Sequence, residues 1–135
     1  MTFLTIERDG GIWTVTMNQP ETRNALTGNT AVEEFVQLCD AVRTDASVKS
    51  LILTGAGPIF SSGGNVKDMQ RFFEDALTPD LIREEYRNGI QRIPNALYQL
   101  DVHKCFVPVS KGRGVSSQSK RLRRCISGFS RWCCT

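Results

Sequence analysis

The run Leu51-Ile52-Leu53, inside VKSLILTGAG, is apolar on both of the faces that a strand would present. A strand that is half exposed to water alternates between apolar and polar residues, whereas one covered on both sides reads as a continuous apolar run. The run therefore predicts a buried strand. It stops at Gly55-Ala56-Gly57-Pro58, a loop signal. The segment before it, TAVEEFVQLCDAVRTD, places Val32, Phe35, Val36, Cys39 and Val42 at helical spacing. This is an amphipathic helix over 31–44, with Asn29 or Thr30 as its cap. Further upstream, FLTIERD and IWTVTMN alternate with period two around Asp9-Gly10-Gly11, which predicts a β-hairpin.

The chain after the loop is helical in pattern. FSSGGNVKDM puts two serines and two glycines ahead of a helix beginning at Val66. Asn65 is suited to be its N-cap, and Asp68 falls at the third helical position. From Leu81 to Leu100, the residues Leu81, Ile82, Tyr86, Ile90, Ile93, Leu97 and Leu100 keep helical spacing, and Pro94 is expected to kink or restart the helix. The order strand–strand–helix–strand–loop–helix–helix indicates an α/β chain. At 135 residues it is long enough for one domain.

The bare stretch from Ser61 to Gly64 has two readings. At a helix N-terminus, backbone N–H groups lack intrahelical partners and the helix dipole adds positive character. Gly63 and Gly64 would let an oxygen approach those donors, which is the chemistry of an oxyanion hole or of a phosphate cradle. The other reading is a tight turn that merely needs glycine. Neither a P-loop nor a dinucleotide fingerprint is present.

Charge divides the chain. Residues 1–102 carry 9 Lys/Arg and 14 Asp/Glu, while residues 103–135 carry 8 Lys/Arg and no acid. Cys105, Cys125, Cys133 and Cys134 also fall in that second part, which reads as an atypical basic tail. No apolar run approaches the ~20 residues that span a bilayer, and the start lacks a secretory signal pattern. A cytoplasmic, reducing setting is expected.

Residues 3–101 resemble the N-terminal part of the crotonase superfamily, the enoyl-CoA hydratase/isomerase family. VTMNQPETRNALT is similar to the family's strand, proline turn and R-N-A-L. VKSLILTGAGPIFSSGGNVKDM is similar to its glycine-bearing strand–loop–helix, with Asn65 where the commoner residue is Asp. The resemblance implies a crotonase-like ββα spiral fold, represented by its N-terminal part only. It implies an enzyme acting on acyl-CoA thioesters, a lyase or isomerase, that stabilises an enolate-like oxyanion with backbone N–H donors.

The site residues follow from the same resemblance. Gly64 would be the first oxyanion-hole donor. Backbone around Arg23, Ala25 and Leu26, and around Ser62, Gly63, Gly64, Asn65 and Val66, would line the acyl-CoA groove. No metal and no separate cofactor is implied, since coenzyme A belongs to the substrate. The family's usual assembly is a trimer or hexamer, and neither a membrane nor a nucleic-acid partner is expected.

The resemblance stops near Asp101. The family's second glycine motif and catalytic glutamates are not recognisable beyond that point. Glu74, Asp75, Glu84 and Glu85 read as a solvated charged face. The chain as given is thus expected to be a truncated and inactive form, with the strand at Leu51–Leu53 left with a bare face or edge and prone to aggregate. The alternative function is a non-catalytic degraded paralogue, or a binding module with a basic tail. For residues 103–135 the leading reading is an out-of-frame end. A nucleic-acid arm at Lys120–Arg124 with Phe129 and Trp132, a metal site from His103, Cys105, Cys125, Cys133 and Cys134, and disorder are the others.

Overall fold

The computed structural model describes residues 2–107. The expectations for Lys120–Arg124, Phe129, Trp132 and the three last cysteines fall outside these residues. The elements follow the predicted order. Strands β1 (Leu4–Asp9) and β2 (Ile12–Met17) lead to helix α1 (Ala31–Thr44) and strand β3 (Ser50–Gly55). Helices α2 (Val66–Glu74), α3 (Pro79–Asn88) and α4 (Arg92–Tyr98) follow, and β4 (His103–Phe106) closes the described part. β4 falls within the part that the charge pattern sets apart as a basic tail, and the residues after Val107 lie outside those described.

The sheet order is β1-β2-β3-β4. β1 and β2 form the antiparallel hairpin, with Gly10 at φ 55° in its turn. β2, β3 and β4 run parallel. Residues paired across neighbouring strands share a face, so Trp13 lies beside Leu51 and Val15 beside Leu53. That face packs on Phe35, Leu38, Cys39 and Val42 of α1 and on Ile93 and Leu97 of α4, and all of these are buried. The opposite face carries Thr14, Ser50, Ile52 and Thr54, also buried. Phe3 closes one end of the core, its ring centroid 6.3 Å from that of Phe35.

β3 is buried along its whole length, as its apolar run predicts. The expected bare face or edge is absent, because β2 and β4 flank it and Leu51 to Leu53 are at most 5% exposed. The argument for aggregation from this strand loses its basis. The exposed large apolar side chains lie elsewhere, at Phe73, Tyr98 and Phe106 among others.

Two details of the helices differ from expectation. Leu38 completes the buried stripe of α1, while Val36 sits at its half-buried margin. Between α3 and α4 the break falls at Gly89, not at Pro94. Pro94 is the third residue of α4, where its missing N–H has no intrahelical acceptor to lose. A Cβ on Gly89 would stand 2.8 Å from the Glu85 carbonyl oxygen. Leu81, counted in the helical stripe, is 52% exposed.

At the start of α1 the two named cap residues divide the work. Thr30 takes the N-cap position and donates its hydroxyl hydrogen to Glu34 Oε1 at 2.5 Å. Asn29 Oδ1 accepts from the Ala31 N–H at 3.0 Å. Glu34 also accepts from the Phe3 and Leu4 N–H groups, both at 2.8 Å, and so ties β1 to α1. Burial alone would raise its pKa, but the bonds from Thr30, Phe3 and Leu4 outweigh that and hold it below the usual value.

Candidate functional site

The chain leaves β2 through a short 3₁₀ turn, Pro20–Thr22, and then places Arg23 and Asn24 in the left-handed region, at φ 57° and 52°. Asparagine is one of the few side chains that tolerates this conformation. Here it also does something no sequence pattern announces. Asn24 is fully buried, and its Nδ2 donates towards the carbonyls of Ala56, Ile59 and Phe60 at 2.9, 3.0 and 3.1 Å. Its Oδ1 accepts from the Gln19 N–H at 2.9 Å. One side chain thus pins the loop after β2 to the loop after β3. Gly55 makes room for it, since a Cβ there would stand 2.3 Å from the Phe60 oxygen and 2.8 Å from Asn24 Nδ2.

Beyond this pin the two loops run side by side. The Ser62 N–H donates to the Arg23 carbonyl at 2.9 Å, and the Leu26 N–H to the Gly63 carbonyl at 2.8 Å. The Ser61 hydroxyl donates to the Asn24 carbonyl at 2.8 Å and accepts from the Gly63 N–H at 3.0 Å. Gly63 holds φ +76°, a conformation L side chains rarely adopt. Thr27 finishes the clamp: its Oγ1 accepts from the Asn65 N–H at 2.7 Å and donates to Asp68 Oδ2 at 3.1 Å. The two stretches that the sequence singled out, 23–26 and 62–66, are therefore one structure.

The clamp delivers Gly64 to the start of α2. Asn65 is the N-cap as expected, its Oδ1 accepting from the Lys67 N–H at 3.1 Å. Among the described residues, the Gly64 N–H has no hydrogen-bond acceptor, while the N–H groups of Ser62, Gly63 and Asn65 each have one. Gly64 opens on a cavity of about 430 Å³ walled by α2, α3 and the first turn of α1. That volume falls within the range of small-molecule sites. A Cβ on Gly64 would meet Met69 Cε at 3.0 Å, the movable end of a flexible side chain.

The predicted residues divide by position. Leu26, Gly64 and Asn65 line this cavity. Arg23, Ser62 and Gly63 build the clamp through their backbone, and Ala25 is buried beneath it with its carbonyl accepting from Asn29 Nδ2. Val66 is 71% exposed and does not line the cavity. The side chains of Asn24, Thr27, Met69, Phe72 and Tyr86 were not named as site residues. Asn24 stands inside the R-N-A-L string, and only its burial shows its weight.

Three carboxylates line the cavity, and each is engaged. Asp68 accepts from Thr27, Glu85 pairs with Arg71, and Glu33 stands 3.7 Å from Arg92. Glu74, Asp75 and Glu84 are exposed, in line with a solvated face. A second, largely apolar cavity of about 580 Å³ shares Leu26 and Ile90 with the first as a common wall. No helix among the described residues is long and apolar enough to cross a membrane.

The family described as enoyl-CoA hydratase/isomerase matches residues 7–99. A trans-2-decenoyl-[acyl-carrier-protein] isomerase of Streptococcus mutans is 33% identical over 76 residues, covering 56% of this chain and 28% of that protein. An enoyl-CoA hydratase of Mycobacterium tuberculosis is 42% identical over 62 residues, 46% of this chain and 23% of its own length. A crystal structure of an enoyl-CoA hydratase/carnithine racemase from Magnetospirillum magneticum superposes with a TM-score of 0.66 at 22% identity, over 80% of this chain and 39% of that one. The chain thus spans less than half the length of each protein it matches here.

Proposed function

The chain belongs to the enoyl-CoA hydratase/isomerase family, in the N-terminal part of the crotonase fold, and from that premise we propose that the clamp holds an acyl-CoA thioester with its carbonyl oxygen on the Gly64 N–H. The observation that carries the reading is that unengaged N–H, on a residue that lines a cavity of ligand size at the entry to α2. A thioester's α-proton becomes removable when the negative charge moving onto the carbonyl oxygen is stabilised. A fixed donor at a helix start does this without reorganising, and removal of one such donor in other enzymes costs roughly 2.7–4 kcal/mol. The backbone of Arg23–Leu26 and Ser62–Val66 is assigned to the coenzyme A side of the substrate.

The cavity's carboxylates are all paired, so the described residues favour capture and polarisation of the thioester over a complete proton shuttle. An isomerase and a hydratase both match parts of this chain. What such enzymes share is the thioester, and the proposal rests on that shared step rather than on either outcome. A cytosolic setting, a homo-oligomeric assembly and the absence of any cofactor beyond coenzyme A belong to the same proposal.

The test is titration of the full chain with acetoacetyl-CoA, reading the enolate absorbance of the bound ligand. The wild-type chain should bind and raise that absorbance. Gly64→Pro, which removes the N–H, should lower it by about a hundredfold at equal ligand, while Gly64→Ala, which keeps it, should not. Absence of binding by the folded wild-type chain, or an unchanged signal from a folded Gly64→Pro variant, refutes the proposal.

A further inference from the structure

We propose that the ion pair between Arg71 and Glu85 is the end stop of the acyl subsite, and that the chain takes apolar acyl groups of medium length. This rests on the thioester reading above, with the carbonyl at Gly64 and the acyl chain running into the cavity. α2 forms one wall with Asp68, Met69 and Phe72, spaced so that they share a face. α3 forms the other with Glu85, Tyr86, Gly89 and Ile90. The rings of Phe72 and Tyr86 bring the two walls together, their centroids 6.2 Å apart. Arg71 lies five residues beyond Val66, the first residue of α2, which is about 7.5 Å along the helix axis. There Arg71 and Glu85 pair, and both line the cavity.

Arg71 is held as a wall rather than offered as a ligand group. Its Nε donates to the Asp68 carbonyl at 3.1 Å, and its guanidinium stands 5.3 Å from the Phe72 ring centroid. Its charge is matched by Glu85. An acyl chain ending in a carboxylate would have to displace Glu85 from a partner it already occupies. An apolar chain that ends short of the pair needs no such exchange, and it buries its methylenes against Met69, Phe72 and Ile90. Methylenes beyond the pair reach solvent, since Arg71 and Glu85 are 51% and 39% exposed. Longer chains therefore gain nothing further.

The experiment is isothermal titration of the full chain with coenzyme A, butyryl-CoA, octanoyl-CoA and hexadecanoyl-CoA. For the wild-type chain, octanoyl-CoA should bind about tenfold or more tighter than butyryl-CoA, and hexadecanoyl-CoA no tighter than octanoyl-CoA. Arg71→Ala/Glu85→Ala opens the end of the cavity, and hexadecanoyl-CoA should then gain at least about fivefold over octanoyl-CoA. Glu85→Ala alone, which removes one half of the pair from the cavity wall, should move the ratio the same way if the double variant does not fold. Unchanged ratios in whichever variant folds overturn the end stop while leaving thioester binding standing. Failure of the wild-type chain to bind any of the acyl-CoAs overturns the thioester reading, and this inference with it.

Discussion

Replacing Asn24 is the sharpest test of how the site is held. The side chain is fully buried and makes one accepted and two donated hydrogen bonds, the two donor hydrogens being shared among three carbonyls. Each such bond contributes roughly 1 kcal/mol net. Alanine would also sit in the left-handed conformation at φ 52°, at a cost of about 1 kcal/mol. Asn24→Ala should therefore lose about 4 kcal/mol, a large part of the 5–15 kcal/mol typical of a domain. Asn24→Asp is the discriminating partner. It keeps the size and the oxygen that receives the Gln19 N–H, but turns a carboxylate oxygen towards three carbonyl oxygens.

At neutral pH Asn24→Asp should be less stable than Asn24→Ala. Burial beside carbonyls raises the pKa of that carboxyl above the unfolded value of about 3.9. In the window between the two values the folded form binds more protons, so stability rises as pH falls through it, and the protonated acid regains one donor. Urea unfolding followed by far-ultraviolet circular dichroism at pH 7 and pH 5 measures both effects. A loss under about 1 kcal/mol for Asn24→Ala, or equal stabilities of the two variants at both pH values, would refute the pin.

Three further outcomes are expected. Gly55→Ala forces a Cβ into the Phe60 carbonyl and Asn24 Nδ2, and should cost about 3 kcal/mol and weaken acyl-CoA binding in parallel, read by melting and by titration. Thr27→Val removes the acceptor of the Asn65 N–H and the donor to Asp68; about 2 kcal/mol should be lost in urea, with hydrogen exchange rising at Asn65. Glu34→Gln should destabilise the wild-type fold only where Glu34 is ionised. The folded pKa is lowered from 4.5, so the advantage of Glu34 is present above that value and lost as pH falls through the folded pKa. Stability curves of the two proteins should converge in acid.

Much of the framework was legible because periodicity reports burial directly. The alternation of β1 and β2, the stripe of α1 and the apolar run of β3 each follow from one face or two faces meeting the core. Neighbours decided the remainder. Leu38 joins the core and Val36 stays at its margin because the stripe Phe35, Leu38, Cys39, Val42 is the one packed on the sheet. Gly89 rather than Pro94 ended a helix because proline in a first turn sacrifices no hydrogen bond. At the site, glycines and serines marked the loop, since bare residues advertise close approach. Asn24 and Thr27 gave no such mark. Turn strings are full of Asn and Thr, and only the loop brought from the far side of β3 distinguishes these two.

That dependence has a consequence for the order in which the molecule comes together. The bonds from Asn24 to Ala56, Ile59 and Phe60 join residues 32, 35 and 36 apart in the chain. Those from Ser61 to Asn24, from Asn65 to Thr27 and from Thr27 to Asp68 span 37, 38 and 41. None can form until a loop of that size has closed and β3 has settled parallel beside β2, and contacts of long sequence separation are the slow ones. Helix α1 and the β1–β2 hairpin are local by comparison. In refolding, helical signal should therefore precede the ability to hold a ligand, and acquisition of that ability would time the last step of assembly.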